Sequence, residues 1–344
     1  MGINLKSIVL RQLTGSLAVR ALTPFTRDRA CIFMLHRFNH PERGIRGHDP
    51  QVLRETLGWL RRERFELLSL VEVFNRLQQP APGLRRAVAF TIDDGYADHF
   101  EVAVPAFAEF DCPVTTFVVS GFLDQALWMW WDRIVYAFAQ SPRSSVEVMV
   151  GDTPARHTWD GPATRRAAAL DFTQRCKGVR EGEKLAAVER LAKALEVELP
   201  VTPPPQFAPM TWNDLRAAER SVMRFGPHTV THPILERADD VQAQFEVAES
   251  WRRLRQEASA PVPIFCYPNG EWADFGEREI NNLRALDLKG AVTGVHGYAS
   301  AAEIRHDAGG SYRVRRFPFP DELPTAAQYA GGFEQLKSVI RGRR

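Results

Sequence analysis

A chain of 344 residues with a net charge of +2 can bury a large core, and it is too near neutral to argue for a nucleic-acid partner. Its apolar and charged fractions are those of a globular protein, which excludes a disordered or low-complexity chain. The four cysteines, Cys31, Cys112, Cys176 and Cys266, stand far apart and form no C-x-x-C pair. They read as buried thiols of a reducing compartment and not as a disulfide framework.

Residues 1–29 read as an N-terminal helical segment. Leu5, Ile8, Val9, Leu13, Leu17 and Leu22 recur at roughly helical spacing, with Lys6, Arg11 and Arg20 among them and no acid before Asp28. A basic amphipathic helix of this kind suits a membrane surface, and it equally suits packing on the outside of the domain that follows. Its uncharged runs are too short for a signal-peptide core or a membrane span. The expected location is therefore cytoplasmic, with peripheral contact at the inner membrane face allowed.

From residue 30 onward, short apolar runs alternate with helical segments. Ala30–Leu35 is the first strand candidate and stops at His36; Phe65–Leu70 is a second. Ala87–Ile92 follows the breakers Pro80, Pro82 and Gly83 and ends in Asp93-Asp94-Gly95, and Val114–Val119 comes next. The rhythm then breaks over residues 125–209, where only 146–150 resembles a strand and the rest reads as helix, closed by the proline-rich run from Pro200 to Pro209. It resumes at Ser221–Gly226, Pro263–Tyr267, Gly290–Thr293 and Tyr312–Arg315. Such alternation predicts an α/β fold, a distorted (β/α) barrel of about seven strands spanning 30–320 with a helical insertion at about 125–209, then a C-terminal helix or tail over 321–344. In barrels of this type catalytic residues sit past the C-terminal ends of strands. His36, Asp93-Asp94, His228 and Pro268-Asn269-Gly270 all fall there.

Two acids at the end of a buried strand are costly unless a cation or a proton relay accompanies them. His228-Thr229-Val230-Thr231-His232 places two imidazoles at i and i+4, on one face if the segment makes a helical turn. With an acid from the Asp93-Asp94 turn they form a two-His, one-carboxylate set, which suits zinc and other divalent first-row metals.

Thr91-Ile92-Asp93-Asp94-Gly95 together with His228-Thr229-Val230-Thr231-His232-Pro233 resembles the first two motifs of the polysaccharide deacetylases, carbohydrate esterase family four with its NodB-homology domain. The resemblance implies a metal-dependent hydrolase that removes N-acetyl groups from amino sugars on a distorted barrel. It assigns Asp93 as catalytic base and Asp94, His228 and His232 as metal ligands. Phe265-Cys266-Tyr267-Pro268-Asn269-Gly270 is similar to the third motif, whose backbone amide helps stabilise an oxyanion; this puts Tyr267 in an oxyanion or substrate-binding role. Many members carry an arginine in that motif to orient the base, yet no arginine lies between Arg255 and Arg278. Phe33-Met34-Leu35-His36 resembles the branch in which an early histidine supplies the general acid, which assigns that role to His36, with His296 and His306 as weaker candidates.

The substrate implied is an N-acetylated amino sugar of a glycan, or a lipid-linked sugar. A deformylase or another amide hydrolase acting on a lipid-linked sugar, and a glycan-binding protein with a degenerate site, are the alternatives. Trp128, Trp130 and Trp131 suit either a sugar platform or helix packing. Asp98 and Asp132 read as solvated or capping acids, and Tyr312–Arg316 as an ordinary edge strand.

Overall fold

The computed structural model describes residues 15–342 except Pro82. Most of the N-terminal helical reading falls on residues 1–14 and lies outside the described residues. The part described, a helix at Ser16–Leu22 and a 3-10 turn at Thr23–Thr26, buries Val19 in the main core.

The strands are β1 (Arg29–Leu35), β2 (Glu66–Leu67), β3 (Ala87–Asp94), β4 (Val114–Val118), β5 (Ser145–Val150), β6 (Thr153–Thr158), β7 (Met223–Pro227), β8 (Ile264–Cys266), β9 (Gly290–His296), β10 (Ala299–Ser300) and β11 (Val314–Pro318). Seven run parallel in the order β7-β4-β3-β1-β11-β9-β8, with β2 added to β3 and β10 antiparallel to β1. The outermost pair, β7 and β8, meet at a seam where the Val262 amide donates to the Phe225 carbonyl at 2.7 Å. The result is a nearly closed (β/α) barrel. A Cβ on Gly226 at this seam would lie 2.7 Å from the Phe117 ring and 2.8 Å from the Ile264 carbonyl oxygen, so only glycine allows the approach.

Strands buried on both faces need unbroken apolar runs, and β1 and β3 supply them. Period-two alternation then decides which side each residue joins. Ala30, Ile32, Ala87 and Ala89 pack with Ile264, Cys266 and Val292, whereas Cys31, Phe33, Val88 and Phe90 pack beneath helices such as Pro50–Arg62. Small residues on the inner side suit a narrow barrel. Thr91 and Asp93 continue that inner register toward the C-terminal mouth.

Between β4 and β7 the chain builds a separate apolar cluster from the helices Trp130–Gln140, Pro162–Lys177 and Glu181–Ala194. The segment is less helical than its sequence suggests, because β5 and β6 form an antiparallel hairpin. Val146, Val148 and Val150 turn inward and alternate with exposed residues, the strand read at 146–150; its partner Thr153–Thr158 buries only Ala155 and was not read. β11 is no edge strand: it lies between β1 and β9.

Candidate functional site

Asp93 and Asp94 are adjacent in sequence but leave β3 in different directions. Asp93 follows the inner register of the strand. Asp94 has φ of 90° and Gly95 φ of 95°, a left-handed turn that a non-glycine residue adopts at a cost and that sites commonly hold. Both side chains are buried.

Asp94 faces His228 and His232. Its Oδ1 is 3.7 Å from His228 Nε2 and 3.6 Å from His232 Nε2, and the two Nε2 atoms are 3.2 Å apart. One ligand atom from each residue falls within 4.8 Å of the others. Burial pushes the His228 pKa down to about 4 and that of His232 well below its ordinary value, so both imidazoles are neutral near pH 7. His228 Nδ1 is 2.7 Å from the Cys266 carbonyl, which fixes Nδ1 as the protonated nitrogen and leaves the Nε2 lone pair free. Burial, then the charges of Asp93 and Asp132, raise Asp94 well above the usual carboxylate range. Two converging imidazole nitrogens and a buried carboxylate are the donor set that a divalent cation fits.

The two histidines do not share a helical turn. Residues 228–232 form an irregular loop in which Thr229 and His232 have φ of 68° and 60°. Glu246, from the helix Asp240–Glu257, holds the loop: its carboxylate accepts from the Val230 amide at 2.7 Å, the Thr231 amide at 2.9 Å and the Thr231 hydroxyl. The Thr229 hydroxyl accepts from the His232 amide at 3.0 Å. Sequence reasoning missed Glu246, because nothing in a helical acid announces an anchor for a distant loop.

Asp93 is gripped by Arg316 of β11. The guanidinium donates to Asp93 Oδ1 and Oδ2 at 2.8 Å each, to the Thr91 hydroxyl at 3.0 Å and to the Thr293 carbonyl at 2.8 Å, and it lies 3.2 Å from Cys266 Sγ. Burial alone would raise the Asp93 pKa. The charge and hydrogen bonds of Arg316 outweigh it and hold the carboxyl well below the usual range. The arginine absent from the third motif is thus supplied by a different strand. Alternation of Val314 and Arg316 on one face was the available signal, since a charged residue on the inner face of a central strand must be paired.

His36 stands just past β1 with its Nε2 3.9 Å from Asp93 Oδ2 and 47% of its side chain exposed. The surrounding protein lowers its pKa, opposed by Asp93 and assisted by Arg316 and Lys177. Two buried residues fix its backbone. His99 Nε2 bonds the His36 carbonyl, and Asp98 accepts from Arg37 Nε at 2.9 Å and from the Phe38 amide at 2.6 Å. Asp98, expected to be solvated, is fully buried.

Tyr267 is buried: its amide donates to the Val292 carbonyl at 3.3 Å, its ring stacks on Phe275 at 3.9 Å, and its hydroxyl has no hydrogen-bond partner among the described residues. His296 packs edge-on against Phe317, and His306 ends the exposed helix Ala301–His306; neither joins the site. Trp128 and Trp130 are buried, whereas Trp131 is only half-buried and sets its ring 4.7 Å from that of His232. Asp132, also expected to be solvated, is buried and accepts from the Tyr96 hydroxyl at 2.6 Å.

A buried Asp-His-His group beside an arginine-held carboxylate, at the C-terminal mouth of a (β/α) barrel, defines a candidate hydrolase centre of the divalent-metal kind. Comparison with known families narrows the class. The polysaccharide deacetylase family model matches residues 81–289, and the chain belongs to that family. Among solved structures it is similar to the deacetylase PplD of Streptococcus pyogenes in complex with acetate (18% identity, 87% of this chain and 96% of that one, TM-score 0.54). It is also similar to the deacetylase domain of BpsB from Bordetella bronchiseptica (13% identity, 85% and 96%, TM-score 0.51) and to IcaB from Ammonifex degensii (15% identity, 88% and 97%, TM-score 0.51). At these identities the likeness concerns the fold. No curated protein gives a sequence match.

Proposed function

We propose that the chain is a metal-dependent N-deacetylase that hydrolyses the acetamide of an amino sugar, in a glycan or a glycolipid precursor, and releases acetate. The observation that carries this reading is the different company of two neighbouring acids. Arg316 grips both oxygens of Asp93 at 2.8 Å, while Asp94 Oδ1 lies 3.6–3.7 Å from the Nε2 atoms of His228 and His232.

A divalent cation, zinc first among the first-row metals, held by Asp94, His228 and His232 would polarise the amide carbonyl and acidify a neighbouring water. Asp93 is the base that takes the water's proton, with Arg316 fixing both carboxylate oxygens. His36 is the acid for the departing nitrogen. It stands 3.9 Å from Asp93, near enough for a proton that Asp93 takes from the water to pass to it and on to the leaving nitrogen. The position of His36 past β1 supports the branch in which an early histidine serves as acid.

The four buried, unpaired cysteines support a reducing, cytoplasmic compartment. Among the described residues no helix is long and apolar enough to cross a membrane. The exposed Leu17, near Arg20, supports peripheral membrane contact through the N-terminal segment. The test is an acetate-release screen over free, oligomeric and lipid-linked N-acetylhexosamines with metal-loaded protein. Release of formate from N-formyl sugars in place of acetate would move the assignment to a deformylase.

A further inference from the structure

The insertion places three connected side chains beside the candidate centre. Trp131 and Asp132 are the second and third residues of the helix Trp130–Gln140, and both meet the hydroxyl of Tyr96, which directly follows the Asp93-Asp94-Gly95 turn. Trp131 Nε1 donates to that hydroxyl at 3.0 Å, and the hydroxyl donates to Asp132 Oδ2 at 2.6 Å. Arg37, bound to Asp98, lies over the Tyr96 ring at 3.8 Å. Trp131 also borders His232, ring to ring at 4.7 Å, and is half-buried.

This arrangement is more than a joint between insertion and barrel. An anchor for Tyr96 needs one acceptor, which a neutral amide would supply. The chain uses a buried carboxylate, whose pKa burial pushes up to about 7, and Oδ1 of Asp132 has no hydrogen-bond partner among the described residues. A half-buried tryptophan and an unpaired acceptor on one helical turn, next to His232, match a pyranose ring: an aromatic surface for the C–H face and an acceptor for a hydroxyl.

We propose that Trp131 and Asp132 form the sugar subsite of this centre, Trp131 packing on the ring of the amino sugar and Asp132 accepting a hydrogen bond from one of its hydroxyls. The inference rests on the deacetylase reading and adds that the insertion, not the barrel, selects the sugar. A site built to bind a hydroxyl discriminates strongly against an analogue that lacks it.

The test is steady-state acetate release by full-length, metal-loaded protein on whichever of two probes the wild type hydrolyses faster, N-acetylglucosamine oligomers or an N-acetylhexosamine diphospholipid. Asp132→Asn and Trp131→Ala are each expected to raise KM about tenfold while kcat moves less than about threefold and bound metal is unchanged. Trp131→Phe, which keeps an aromatic face and most of the packing, is expected to recover most of the KM. Asp132→Asn is also expected to narrow the preference for a hydroxylated sugar over its deoxy analogue. A fall in kcat at unchanged KM, or loss of metal in Asp132→Asn and Trp131→Phe, would show the pair to be an anchor and overturn the subsite. A metal-loaded wild type inert toward both probes would overturn the deacetylase reading, and the subsite with it.

Discussion

Arg316 and Asp93 form a two-pronged ion pair inside the barrel, 2.8 Å at each carboxylate oxygen, across 223 residues of sequence. Neither is exposed, so the pair is neither screened nor loosened by water. A planar fork fixes orientation as well as charge. Arg316→Lys keeps the cation and loses the fork, and kcat is expected to fall on the order of 100-fold with metal content unchanged. Arg316→Met leaves Asp93 buried and unpaired, and urea unfolding should show a loss of about 3–5 kcal/mol.

The loop carrying both candidate ligand histidines is held by one carboxylate. Glu246→Ala removes the acceptor of two amides and a hydroxyl. Metal affinity, measured by competition with a chromophoric chelator, is expected to weaken about 10- to 100-fold, the usual cost of losing a group that orients ligands. Unchanged affinity would mean the loop holds its shape without that anchor.

His36 contacts no ligand residue through a hydrogen bond among the described residues, yet it sits 3.9 Å from Asp93. His36→Ala should therefore slow turnover by about 10²- to 10⁴-fold while leaving metal stoichiometry intact. Wild-type turnover in this variant would place the acid elsewhere.

His99 gives the protein a pH-dependent stability. Burial holds its pKa at about 4, below the ~6.5 of an unfolded histidine. Between these values the unfolded chain binds a proton that the folded chain does not, so stability falls as pH drops from about 6.5 towards 4. At pH 5 the contribution lost is about 2 kcal/mol. His99→Gln can still donate to the His36 carbonyl but does not titrate. Urea midpoints of wild type and variant should diverge on acidification, the wild type losing more; parallel curves would contradict the buried neutral state.

Much of the barrel was legible because β1, β3 and β4 are unbroken β-prone runs with breakers between them. Of the insertion hairpin only the first strand was legible, at 146–150; Thr153–Thr158 buries Ala155 alone and carries too little apolar pattern to read as a strand. The pairing of His228 with His232 was anticipated through a helical turn that does not exist. Two left-handed residues and Glu246 produce the same convergence by another route. Arg316, Asp98 and Asp132 were read as surface or edge residues because a charge in sequence carries no mark of its partner. Each is buried against a group brought from another part of the chain, Asp93, Arg37 and Tyr96 respectively. Tyr267 was placed by motif position alone; its amide faces the Val292 carbonyl of the neighbouring strand.

The central claim is that Asp93 moves the proton while its neighbour Asp94 holds the metal. It is tested most directly by measuring bound metal and acetate release together in Asp93→Asn and in wild type. The account predicts about one divalent ion per chain in both proteins, with acetate released only by the wild type. Acetate release by Asp93→Asn at the wild-type rate, or an active wild type that binds no metal, would contradict it.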